Sequence, residues 1–201
     1  MLIPAVEDAL AAYLRQTLPL TADQGDISFE APTPTWAEQL TTPVVDAFLY
    51  SITRSPQPPR ASAPRTTEGG RVERRAPLPL VRLGYLVSAW ADSPRAEHSL
   101  LGDALTRLMS VQVLPAWAVE AELNSSVQVA LAADDAQSVA LLWQSLGTGH
   151  KASFVLEVTV ASDAYAWEAA ATSVTEVAAS ASVLPRHDPA EPGGAWRTGQ
   201  G

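Results

Sequence analysis

The sequence predicts an α+β fold: a mixed, largely antiparallel sheet flanked by two or three helices. Three observations lead there. Strand-like segments follow one another without an intervening crossover helix, which disfavours a doubly wound sheet. Two segments, Ile3–Leu18 and the stretch after Pro94, carry apolar residues at helical spacing. The most apolar stretch, Leu80–Trp90, reads as a single long strand.

The elements follow in order. Ile3, Val6, Leu10, Tyr13 and Leu14 define a first helix; Pro4 suits its first turn and Pro19 ends it. Ile27 and Phe29 alternate with polar neighbours, as in a short strand. Ala31–Pro43 is a proline-punctuated loop, and its Trp36 is either a packing anchor or a contact residue. Val44–Thr53 is β-branched, aromatic and nearly continuous in apolar character, so it reads as a strand buried on both faces. Ser55–Ala76 is an insertion holding Gly69-Gly70 and five arginines, Arg60, Arg65, Arg71, Arg74 and Arg75, opposed only by Glu68 and Glu73. It buries too little apolar area to offset an ordering cost of about 1–2 kcal/mol per residue, so it is expected to be mobile in the isolated chain.

In Leu80–Trp90, Val81, Leu83, Tyr85 and Val87 share one face; Leu80, Leu86 and Trp90 share the other, which Arg82 and Gly84 interrupt. Asp92 or Ser93 caps the next helix, with Pro94 in its first turn. Its buried stripe is Leu100, Leu101, Ala104, Leu105, Leu108 and Met109. Val111–Leu114 reads as a short strand, and Val127–Ala132 alternates as another. Asp134 or Asp135 opens a helix that carries Trp143 and runs to Leu146, where Gly147 and Gly149 end it. Phe154–Ala161 is a strand facing the core through Phe154, Leu156, Val158 and Val160. Helices are expected on one face of the sheet. The main domain is expected over 1–162, with a flexible basic loop at about 55–77. An arm or strand follows over 163–184, centred on Val174–Leu184, and then a disordered tail over 185–201.

The chain offers little chemistry. It has no cysteine, which removes disulfides, thiolate metal ligands and thiol nucleophiles together. His98, His150 and His187 show no metal-ligand spacing and read as solvated or capping residues. Gly147-Thr148-Gly149-His150-Lys151 lacks phosphate-loop spacing and lies between a helix and a strand in the wrong order. No GxSxG elbow occurs. The paired Asp134 and Asp135 suit a helix start better than acid–base work. Trp90 and Trp143 fall on packing faces, whereas Trp196 lies in the tail. No site for a cofactor or a metal emerges, and the chain reads as a non-enzyme.

At 201 residues the chain can bury roughly 70% of its unfolded surface. Its net charge of −9 disfavours a free-standing nucleic-acid binder. Met1-Leu2-Ile3-Pro4 has no basic region of a secretory signal, and no apolar run is long enough to span a bilayer. A cytoplasmic origin without membrane insertion is expected. The insertion is the one locally basic part, and reads either as a solvated loop or as a contact arm for an acidic partner. Its five arginines, with Trp36 and Trp196, are the candidate interface residues.

Several pieces in order resemble one family. They are IPAVEDALAAYL, DISFEAPTPTWAEQ, VVDAFLYSITRS with its arginine-rich insertion, PLPLVRLGYLVSAWA, EHSLLGDALTRLM and the late LLWQSL…KASFVLEVTV pair. Over roughly Leu2–Ser162 they look like the tail-terminator, or cap, subunits of extracellular contractile injection systems of the antifeeding-prophage type. The resemblance implies a phage tail-terminator-like fold and a homohexameric ring at the end of the particle distal to the baseplate. It implies contacts with the inner tube protein and the sheath protein, through the basic loop or the C-terminal arm, in a particle assembled in the cytoplasm and then released or retained. Ring closure needs heterologous contacts, for which the sequence suggests long sheet edges. A small-molecule-binding or hydrolytic α/β domain, and an adaptor for another particle component, are the alternative readings.

Overall fold

β-Branched and aromatic residues concentrate in two 11-residue segments, Val44–Arg54 and Leu80–Trp90, and these pair antiparallel at the middle of the structure. The computed structural model describes residues 1–20, 25–119, 123, 125–133 and 136–170. In chain order the elements are α1 (Leu2–Thr17), β1 (Asp26–Ser28), α2 (Pro34–Glu38), β2 (Val44–Arg54), β3 (Arg65–Thr66), β4 (Val72–Arg74) and β5 (Leu80–Trp90). There follow α3 (Pro94–Met109), β6 (Gln128–Leu131), α4 (Ala136–Leu146), β7 (Ser153–Ala161) and β8 (Glu168–Ala169). Residues Met1–Ala170 form one compact unit.

The main sheet has the order β1-β2-β5-β7-β6; only β1 and β2 run parallel. The mixed, largely antiparallel sheet expected from the sequence is therefore present. A second sheet has the order β3-β4-β8.

β5 is buried on both faces, and each face has its own cover. Leu83, Tyr85 and Val87 join Val45, Leu156 and Val158 under α1 and α3, whose Leu10, Leu14, Leu100, Ala104 and Leu108 complete the larger core. Leu86 and Trp90 join Val44 under Trp143 of α4, with Trp36 of α2 packed against them. Helices thus lie on both faces, not one. The physical reason is that Leu86 and Trp90 are too apolar to face water, and Trp143, 1% exposed, fills the space above them.

Local signals account for the helix ends. The Ser93 hydroxyl accepts from the Ala96 amide, choosing Ser93 over Asp92 as cap, and Pro94 occupies the first turn. Gly147 closes α4 at φ 71°, a conformation that favours glycine. Asp134 and Asp135 lie outside the described residues.

Several expectations change. The Ala31–Pro43 loop contains α2, because Thr33 caps the Trp36 amide and Pro34 starts the turn. β2 is buried only over Val44–Ala47; a bulge between Leu49 and Ser51 shifts the register, and Tyr50 and Ile52 beyond it are exposed. The Tyr50 ring lies over Gly84, where an added Cβ would stand 3.4 Å from it and 3.2 Å from Ser51 Cβ. Met109, the last residue of α3, is exposed rather than part of the stripe. Val111–Leu114 makes one isolated bridge, Val113 to Gln128, and no strand. Val174–Leu184 and the 185–201 segment lie outside the described residues.

The sheet also carries a polar row that the sequence does not announce. Ser28, Asp46, Ser88 and Ser153 stand opposite one another across β1, β2, β5 and β7. Trp90 and Trp143 donate their indole N–H groups to Ser88 and Ser153. Asp46 is fully buried and neither carboxyl oxygen has a hydrogen-bond partner. Burial pushes its carboxyl up to about 8; nearby Ser28 eases the charge slightly and Glu30 opposes it.

Two predictions follow from this packing. Trp143→Ala should cost about 3–5 kcal/mol in urea unfolding, because it empties the second core. Asp46 binds a proton more tightly folded than unfolded. Its contribution is therefore full below about pH 4 and declines by up to about 1.4 kcal/mol per pH unit until it levels off near pH 8. Asp46→Asn should flatten the stability profile between pH 5 and pH 8 and gain on the wild type as pH rises.

Candidate functional site

The arginine-rich insertion is a hairpin rather than a structureless loop. β3 and β4 pair antiparallel around a turn in which Gly70 adopts φ 73° and the Thr67 amide donates to the Arg71 carbonyl. β8 then adds to β4, opposite Glu73 and Arg74. Trp167 accounts for this order. Its ring lies between two guanidinium groups, 4.4 Å from Arg65 and 4.7 Å from Arg75. Each such contact is worth about 0.5–2 kcal/mol, depending on its desolvation.

The five arginines therefore divide. The Arg75 side chain is 6% exposed, donates to the Ser62 hydroxyl and pairs with Asp163 at 2.9 Å. Arg65 pairs with Glu73 at 2.8 Å. Arg60 bridges Leu78 through its backbone and donates to the Ser126 hydroxyl. Arg71 and Arg74 are exposed, and their side chains make no hydrogen bond or ion pair among the described residues. Trp36 packs edge-on against Trp90 with ring centroids 5.4 Å apart, the packing anchor of its two readings. Trp196 lies outside the described residues.

The chain's one lysine is also occupied. Lys151 pairs with Glu97 and stands 4.0 Å over the Trp90 ring. His98 and His150 are exposed, and His187 lies outside the described residues. Thr148, in the glycine-flanked turn, donates to the Pro32 carbonyl and tethers that turn to the loop before α2. Among the described residues no group of three or more His, Asp or Glu side chains is placed to hold a metal ion, and no helix is long and apolar enough to cross a membrane.

A cleft of about 810 Å³ lies between the end of α1 and β1. Leu14, Leu18, Leu20 and Ile27 line it. Its charged groups are Arg15 and Asp26, paired at 2.8 Å and both more than half exposed. The hydrogen bond from Arg15 holds the Asp26 carboxyl below its usual range. No nucleophile stands beside a base there.

The outermost strands of the main sheet, β1 and β6, are short. On β1 the outward Ile27 amide donates to the Asp26 carboxylate. On β6 the Val129 amide donates to the Gln112 carbonyl, and the Leu114 amide donates to the Val127 carbonyl. Beyond Asp46, the outer edge of β2 through Arg54 has no strand partner among the described residues.

The described residues thus form a two-faced α/β layer with a clamped basic hairpin. Residues 5–176 match the Pvc16 N-terminal domain family. The chain belongs to that family. No curated protein matches the sequence. Among solved structures, the Pvc16 N-terminal domain described here is similar to the sheath/tube terminator of the extracellular contractile injection system PVC, in its extended state. The TM-score is 0.68 at 23% identity, over 92% of this chain and 64% of that one. It is also similar to the tube-terminating cap of the anti-feeding prophage, with a TM-score of 0.60 at 22% identity, over 89% of this chain and 62% of that one. The chain spans less than two thirds of the length of either structure. At these identities the likeness establishes the tail-terminator fold.

The clamp is directly testable. Trp167→Ala should free the β8 segment from the hairpin and raise the rate of tryptic cleavage at Arg65, Arg71, Arg74 and Arg75 several-fold. Urea unfolding of the main sheet should shift little.

Proposed function

We propose that this chain is a structural cap of a contractile injection system, a homohexameric ring that ends the inner tube and anchors the last sheath ring. The observation that carries this reading is family membership over 5–176, joined to the backbone likeness to the PVC sheath/tube terminator. The mechanism is geometric. Tube growth stops because the ring presents no further tube-like surface, and the sheath end is held so that contraction transmits force to the tube. Neither turnover nor a cofactor is needed. The partners are further copies of the chain, the tube protein and the sheath protein, in a particle assembled in the cytoplasm and then released.

Two features support a rigid, non-enzymatic part. The core covers both faces of β5, which suits a ring that must bear load without opening. The cleft between α1 and β1 holds no nucleophile–base pair among its described lining residues, which favours this reading over the hydrolytic one.

Electron microscopy of particles from cells lacking this chain tests the proposal. Long, irregular tubes or particles with loose sheaths are expected. Particles of normal, uniform length with secured sheaths would overturn it.

A further inference from the structure

The basic residues of this chain are unevenly spread along the sequence. Seven of its thirteen basic residues fall between Arg54 and Arg82, against two of its twenty-two acids. That segment lies at one end of the main sheet, because β2 ends at Arg54, opposite Val81 on β5, and the hairpin is inserted between them. The other end, where Val44 pairs with Trp90, carries the exposed carboxylates Glu38 and Asp92. An 11-residue strand separates the two ends by roughly 35 Å, well beyond the screening length of about 8–10 Å in physiological salt. The two charges cannot satisfy each other within one copy.

We infer that the hairpin tip of one copy, through Arg71 and Arg74, docks head-to-tail on the Glu38–Asp92 end of the next copy. The inference rests on the ring reading above and names the contact that builds the ring. Two observations favour a second copy as occupant. Arg71 and Arg74 are the hairpin arginines without a side-chain partner among the described residues, whereas Arg65 and Arg75 are held by Glu73, Asp163 and Trp167. The acceptor end has a cleft of about 370 Å³ lined by Leu40, Pro43, Trp90 and Asp92, with Glu38 on the turn beside it. Unlike ends make a heterologous contact, the type that closes rings. The clamp on Trp167 holds the hairpin in one orientation, which lowers the ordering cost of docking.

The test is a charge swap on the full chain, read by sedimentation velocity at low salt. The wild type should self-associate, and added salt should weaken it. The pair Arg71→Glu with Arg74→Glu should weaken association at least tenfold, as should the pair Glu38→Arg with Asp92→Arg. The two double substitutions combined in one chain should regain association. Unchanged assembly of either pair, a monomeric wild type, or no recovery in the combined chain would each overturn the inference. If the Arg71→Glu, Arg74→Glu chain assembles as the wild type yet its particles lose their sheath, the arginines face the sheath. The docking contact is then wrong while the cap reading stands.

Discussion

The structure depends on one constraint: β5 is apolar on both faces and must be covered on both. Leu83, Tyr85 and Val87 are fully buried on one side, and Leu86 is fully buried on the other. Each such side chain contributes about 1.5–3 kcal/mol once removed from water. That requirement places β2 and β7 on its flanks, α1 and α3 over one face, and the Trp36–Trp90–Trp143 group over the other. The remaining elements are arranged around this strand. Even the polar row through Asp46 follows from it, since Ser88 lies on β5 between two indole-covered positions.

Buried polar groups in that row mark register. A one-residue slip of β2 on β5 would carry Asp46 to the α1–α3 face, among Leu83, Tyr85 and Val87. A neutral carboxyl opposite two serines is tolerable; a carboxylate in the main core is not. The Tyr85 phenol, pushed up by burial and by Glu7, is the matching polar group on the other face, also without a hydrogen-bond partner. The two faces of the sheet are thus chemically distinct although both are apolar overall.

Outside the core, charge is organised by aromatic rings. Trp167 holds Arg65 and Arg75, and Trp90 holds Lys151. In each case a cation whose composition suggested a free surface arm or a solvated turn is instead anchored. Arg71 and Arg74 at one end of the strands, and Glu38 and Asp92 at the other, are among the exposed charges.

Periodicity alone determined the long elements: α1, β2, β5, α3, α4 and β7 each repeat apolar residues often enough to be read. Ser93, Pro94 and Gly147 likewise act through their immediate neighbours, so their capping roles were legible. Only the tertiary structure decided what depends on partners distant in sequence. α2 and the second core exist because Trp36, Trp90 and Trp143 meet from three separate segments. The basic insertion becomes a hairpin because Trp167, about a hundred residues after Arg65, slides between its arginines. β8, two residues long, has no periodicity to read. Pattern in a sequence reports which face of an element is apolar; it does not report which distant side chain arrives to cover it.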